Sequence, residues 1–170
     1  MDGVVVDSIV IRPAQAADVD TVGRLWSRLV AYHVDLDQRL PSAVDNGARR
    51  YARRLYDKLD DAYSRLIVAE VGGEVVGFVL GMIVDLVPDV FEQEPSGFLA
   101  DIYVDEAYRK HGIGRRLVEA LAAWFQERGI TYYELHVAVL NADGLAFWRA
   151  MGGDAVMVRM RAPVNKGESS

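Results

Sequence analysis

The sequence predicts an α/β domain whose sheet mixes parallel and antiparallel pairs, and three observations carry that prediction. Two apolar runs, "RLIVAEV" and "EVVGFVLGMIV", are joined by Gly72 and Gly73, a dipeptide that permits the positive φ angles of a tight hairpin. A third run, "FLADIYV", passes through the basic turn "YRKHGIGRR" into an amphipathic stretch, giving a strand, a turn and a helix in that order. At 170 residues the chain is long enough to bury a core without metal or disulfide. One domain over 1–164 is expected, with the polar "NKGESS" of 165–170 as a disordered tail.

Taken in order, "SIVIRP" is a strand closed by Pro13. Residues 18–32 then set Val22, Leu25, Trp26, Leu29 and Val30 at helical spacing. Beyond the turn-forming "DLDQRLPSAVDNG", a second helix is expected over 48–59, where Arg49, Arg50, Arg53, Arg54 and Lys58 read as a solvated face. The glycine hairpin follows. Residues 85–97 combine acidic and apolar residues with two prolines and predict a loop. After "FLADIYV", a helix over 113–128 turns Leu117, Leu121 and Trp124 inward and stops at Gly129. "TYYELHVAV" reads as a further strand, "NADGLAFWRAMGG" as a short helix ended by Gly152 and Gly153, and "DAVMVRMRAPV" as a final strand.

Composition removes several functions. A net charge of −6 argues against a surface built for nucleic acid and mildly favours cationic substrates. No apolar stretch approaches the roughly 20 residues that span a membrane. The opening "MDGVVVDSIVIRPA" does not read as a secretory leader, so a cytoplasmic location is expected. With no cysteine there is neither a disulfide framework nor thiol catalysis. The three histidines, at 33, 111 and 136, lack metal-ligand spacing, so no metal is expected.

The glycine turn carries the clearest chemistry. A helix N-terminus leaves backbone N–H groups unpaired beside the positive end of its dipole, and together these attract anions. Gly112 and Gly114 remove side chains that would collide with a phosphate, while Arg109, Lys110, His111 and Arg115 add charge. The turn is neither a P-loop nor a dinucleotide fingerprint. Taken alone, it reads equally as a pyrophosphate cradle or as a helix start with solvated arginines.

Its flanks extend the reading. "FLADIYVDEAYRKHGIGRRLVEALAAWFQERG" resembles the acetyl-CoA-binding core of the GNAT superfamily of N-acetyltransferases, whose motif (Gln/Arg)-x-x-Gly-x-(Gly/Ala) falls here on Arg109 to Gly114. The resemblance continues through "ELHVAVLNADGLAFWRAMGG", covering about 64–153; the N-terminal third fits only in its order of strand and two helices. It implies a twisted, mostly antiparallel mixed sheet of six to seven strands flanked by about four helices, with a bulged strand splayed from its neighbour. It also implies a direct transfer of acetyl from acetyl-CoA to the primary amine of a small molecule or peptide in a ternary complex. A non-catalytic acyl-CoA-binding relative is the alternative.

By this resemblance the backbone groups of His111, Gly112, Ile113, Gly114 and Arg115 hold the coenzyme A pyrophosphate. Ile102, Tyr103 and Val104 pair with the pantetheine arm, and one of their amides polarises the thioester carbonyl. Asn141 supports the pantetheine region or caps the following helix, two roles that are compatible. An aliphatic ammonium needs a base to remove its proton, and the candidates on the central strands are His136, Asp101 and Glu134. Where many members place a tyrosine that protonates the departing thiolate, this chain has Trp148, which leaves Tyr103 or water for that task and puts Trp148 against the cofactor or the core. Gly153 likewise replaces a customary Phe. Asp85, Asp89, Glu92 and Glu94 suit a cationic acceptor, whereas the arginine row at 49–54 argues the opposite. Family analogy implies a homodimer.

Overall fold

The computed structural model describes residues 8–85, 89–92 and 94–164. The expected tail at 165–170, and 86–88 and 93 within the expected loop, lie outside the described residues. Five strands, β1 (Ile9–Pro13), β2 (Ser64–Val71), β3 (Glu74–Val84), β4 (Ser96–Val104) and β5 (Tyr133–Glu134), lie in the order β1-β2-β3-β4-β5. The first four pair antiparallel, and β4 pairs parallel with β5. The glycine hairpin forms as its sequence requires: Gly72 and Gly73 take φ of 59° and 85°, and Val71 faces Glu74 across the turn.

Helices cover both faces. α1 (Val19–Leu36) and α2 (Gly47–Tyr56) pack through Val22, Leu25, Ala52 and Leu55 onto Val68, Phe78 and Leu80. On the other face, α3 (Ile113–Glu127) buries Leu117, Leu121, Trp124 and Phe125 against Ile67, Val79 and Leu99. α4 (Ala142–Ala150) joins that layer at its edge through the half-buried Phe147 and Trp148. Strands β2 and β3 are apolar on both sides because both faces are covered, which explains their nearly unbroken hydrophobic runs. The start of α1 is fixed by Arg12, which bridges Asp18 (2.7 Å) and Glu70 (2.8 Å) and holds the Asp18 carboxyl below its ordinary range. No described helix is long and apolar enough to cross a membrane.

The sheet corrects one expectation. Among the described residues it has five strands rather than six to seven, because "TYYELHVAV" pairs in the ladder only at Tyr133 and Glu134 and "DAVMVRMRAPV" forms no strand. Both runs have the right apolar alternation. What they lack is a neighbour: an extended segment becomes a strand only when its N–H and C=O groups find a ladder partner. Smaller differences are at ends, with α1 running four residues past 32 and β4 starting two residues before Phe98.

Gly97 sets where β4 and β5 meet. A Cβ there would lie 2.7 Å from Phe125 Cζ and 2.7 Å from Tyr133 Cβ, closer than real contacts allow. Gly97→Ala is expected to cost about 1–3 kcal/mol by overpacking, read as a lowered urea midpoint. An unchanged midpoint would mean that β5 and α3 yield freely.

Candidate active site

The site begins at an irregularity in β4. Leu80 pairs with Asp101 and Gly81 with Leu99, so Ala100 is one residue too many for the ladder. Such a bulge sends two successive side chains to one face. Ala100 accordingly packs against the α1 and α2 core, and Asp101 next to it reaches the same layer, where its Oδ2 accepts a hydrogen bond from the Tyr51 hydroxyl of α2 at 2.8 Å. Tyr51 in turn stacks on Trp26 of α1, with ring centroids 4.6 Å apart and planes 9° from parallel. Burial pushes the Asp101 carboxyl up to about 6, partly offset by the Tyr51 hydrogen bond. The Tyr51 phenol is raised too, by burial first and then by the Asp101 charge.

A second irregularity opens beside it. β4 and β5 pair only at Gly97 with Tyr133 and at Phe98 with Glu134, after which the strands part. The side of β4 facing away from β3 therefore has no strand beside it from Leu99 to Val104, which includes Ile102, Tyr103 and Val104. At the far end of this gap lies the glycine turn. Lys110 and Gly112 both take left-handed conformations, with φ of 65° and 76°. Between them His111 Nδ1 donates to the Arg109 carbonyl at 2.8 Å. The first helical bond of α3 runs from the Arg116 N–H to the Gly112 carbonyl, which leaves the N–H groups of Ile113, Gly114 and Arg115 ahead of it. The exposed Lys110 and Arg115 flank these groups. The turn has the chemistry of an anion cradle.

Arg109 has a different task here. Its Nε donates to the Val104 carbonyl at 2.9 Å, and its guanidinium lies over the rings of Tyr32 (5.5 Å) and Tyr103 (5.2 Å). Asn141 caps α4 by accepting from the Gly144 N–H at 2.9 Å, and the same Oδ1 accepts from the Tyr32 hydroxyl at 3.3 Å. Trp148 packs in the α3 layer, edge-on to Phe147 and Tyr133. Tyr103 is buried. His136 and Glu134 are exposed, and the His136 ring meets Phe98 edge to face at 5.4 Å.

Asp101 is thus gathered with Tyr51, and through it Trp26, in a half-buried setting, whereas Glu134 and His136 stand at the open edge of β5. Sequence reading missed Tyr51 as the partner of Asp101, Trp26 as the ring stacked on Tyr51, and Tyr32 as a partner of Asn141. Their signal is weak: aromatic residues at helical spacing read first as core, and Tyr51 sits inside an arginine row.

A mixed sheet with a bulged β4, parted from a parallel β5 and leading through a glycine turn into α3, defines the acetyltransferase class of α/β fold. The model of the acetyltransferase (GNAT) family matches residues 30–152, and the chain belongs to that family. Among solved structures, a mutant of the BH1408 protein from Bacillus halodurans is similar with a TM-score of 0.82 and 22% identity, covering 92% of this chain and 99% of that one. A GCN5-related N-acetyltransferase from Ralstonia eutropha JMP134 matches with a TM-score of 0.71 and 25% identity over 92% and 98% of the two chains. The aminoglycoside N-acetyltransferase AAC(6')-Iy, in complex with CoA, matches with a TM-score of 0.70 and 16% identity over 91% and 95%. No curated protein matches.

Proposed function

We propose that the protein is an acetyl-CoA-dependent N-acetyltransferase that passes acetyl directly to a primary amine in a ternary complex, with Asp101 as the base. The observation that carries this is the half-buried Asp101 carboxyl at the bulge of β4, hydrogen-bonded to Tyr51 and pushed up to about 6, so that it is largely deprotonated, yet still basic, at neutral pH. Acetyl-CoA, when bound, supplies the activated thioester.

The chain's own groups divide the remaining work. The N–H groups of the glycine turn, with Lys110 and Arg115, hold the pyrophosphate. The open side of β4 at 102–104 pairs with the pantetheine arm, and one of its amides faces the thioester oxygen. Asp101 takes a proton from the incoming ammonium, freeing the nitrogen lone pair for attack on the acetyl carbon. As the carbon–sulfur bond breaks, the sulfur leaves as a thiolate. With Trp148 held in the core, the hydroxyls available to return a proton are Tyr103, expected from the sequence, and Tyr32, which is tied to Asn141. The stacked Trp26 and Tyr51 form an aromatic wall beside the base that suits a cation.

The acceptor in this reading is a small-molecule or peptide amine handled in the cytoplasm. Similarity to an aminoglycoside N-acetyltransferase supports an acceptor rich in amines, and the exposed Asp89 and Glu92 before β4 fit such a charge. Calorimetric titration with acetyl-CoA, followed by an amine panel read as release of the free thiol, tests the assignment. Binding in the range of about 1 μM to 1 mM with turnover of at least one amine is expected. No binding sinks the proposal, and tight binding without turnover favours a non-catalytic acyl-CoA-binding protein.

A further inference from the structure

β1 ends too early to cover the whole of the strand beside it. Its last residue, Pro13, pairs with Ile67 of β2, so Arg65, two positions away on the same face of the sheet, has no β1 residue opposite it. Across the other side Arg65 pairs with Gly81, which carries no side chain; a Cβ there would lie 2.5 Å from Leu121 Cδ1. Ile67 packs into the α3 layer, and Arg65 shares its face. The result is a cavity of about 140 Å³ between the end of β1, β2 and the last turns of α3. Ile67 and Trp124 are its buried members, Ile11 and Ala120 are half-buried, and Ala123 and Glu127 are exposed at its rim.

The polar atoms of this cavity are unusual for the molecule. Among the described residues, only Arg65 Nε and Trp124 Nε1 are buried side-chain nitrogens or oxygens without a hydrogen bond. Both groups donate and neither accepts. Arg65 is half-buried, yet no carboxylate among the described residues pairs with it, although burying an unpartnered charge is costly. Trp124 is 4% exposed, and its ring is held by Arg128 over its face at 4.5 Å and by Phe125 at 5.2 Å. The other arginine of the lining, Arg12, is already engaged by Asp18 and Glu70. Folded proteins seldom leave buried donors unanswered, and two in one wall call for an acceptor.

We propose that this cavity binds a small organic carboxylate whose apolar body is no larger than about one six-membered ring. The volume sets the size, since about 150 Å³ holds a single benzene. The carboxylate answers the Arg65 guanidinium, whose fork matches two oxygens, with the Trp124 N–H as the inner donor. The apolar body lies against Ile11, Ile67 and Ala120. Water answers these donors less well, because a buried water needs two to four polar partners and those three side chains offer none. Glu127 stands exposed at the rim, where solvent screens it, and disfavours a ligand with a second negative charge. The site is separate from the catalytic cleft and independent of the reading given to it. It lies on the α3 face of the sheet, whereas Tyr51 and Trp26 lie on the other, and Trp124 is roughly 16 Å along α3 from Ile113.

The three tryptophans give three indole signals in a nitrogen–proton correlation spectrum, and Trp124→Phe identifies the one from the cavity. Titration with benzoate is expected to move that signal downfield and saturably, with a dissociation constant at or below about 1 mM. Arg65→Met, which keeps the apolar stem, is expected to raise that constant about 10- to 100-fold, the loss of a charge-assisted hydrogen bond. Gly112→Val, at the far end of α3, should leave it unchanged. Benzamide has the shape without the charge and inorganic phosphate the charge without the apolar body, so each should bind at least about tenfold more weakly. No saturable shift with benzoate overturns the proposal. So does benzoate bound as tightly by Arg65→Met, or benzamide or phosphate bound as tightly as benzoate. A constant that moves with Gly112→Val overturns it too, because it would put the benzoate in the glycine turn.

Discussion

Asp101→Asn is expected to lower kcat by about 10²- to 10⁴-fold, the usual contribution of a positioned general base. In the wild type, kcat/KM is expected to rise with pH through about 6, as burial delays loss of the Asp101 proton, and this limb should vanish in the variant. Asparagine keeps the shape and still accepts from Tyr51, so acetyl-CoA affinity should hold. Stability provides a second readout with a definite sign. A carboxyl raised from near 3.9 in the unfolded chain to about 6 in the folded one binds its proton more tightly when folded. The fold therefore gains stability as pH falls from 7 towards 4, and replacing the charge by an amide should raise the melting temperature at pH 7. Lost turnover with equal or greater stability separates a base from a structural residue. His136→Ala, assayed beside it, measures the exposed alternative; transfer of the pH limb to that variant would move the base role to His136.

Gly112→Val is expected to weaken acetyl-CoA binding by about 5- to 150-fold, which is the 1–3 kcal/mol cost of holding a side chain at φ 76° expressed as an equilibrium. A Cβ at Gly112 meets nothing within 4 Å, so the penalty lies in the backbone and not in a clash. If the free turn relaxes, the strain is met on binding; kcat at saturating acetyl-CoA should change little. Gly129 is the internal control. It has φ 73° and equally open space but only ends α3, so Gly129→Val should lower stability and leave the dissociation constant alone. Equal dissociation constants for the two variants would remove the glycine turn from cofactor binding.

These two predictions rest on features that differ in how far sequence reveals them. The glycine turn is legible because its chemistry is local: two glycines, a preceding strand and a following helix are consecutive in the chain between Ser96 and Glu127. Asp101 appears in sequence as one of three acidic or basic candidates, and nothing nearby ranks them. What distinguishes it is a one-residue bulge and a tyrosine fifty positions upstream, and register and long-range contact leave no periodic mark. The terminal strands show the opposite limit. "HVAV" and "VMVRM" have the alternation of strands, yet alternation states only which face is apolar and not which backbone will lie alongside.

Arg109 draws together parts of the molecule that are otherwise far apart in the chain. Its guanidinium is held between Tyr32 of α1 and Tyr103 of β4 while its backbone begins the glycine turn. α1 also supplies Trp26 to the wall beside Asp101. In the proposed reading the glycine turn and the aromatic wall beside Asp101 thus both lean on α1, so ordering of that helix by either substrate would link the two occupancies. Under the proposed function, whatever steadies the turn would steady the helix and the wall, and by reciprocity an acceptor pressed against Trp26 would strengthen the grip on the nucleotide. Such linkage would raise the affinity for each substrate by the same factor once the other is bound, and a single cation clasped between two phenols would carry it.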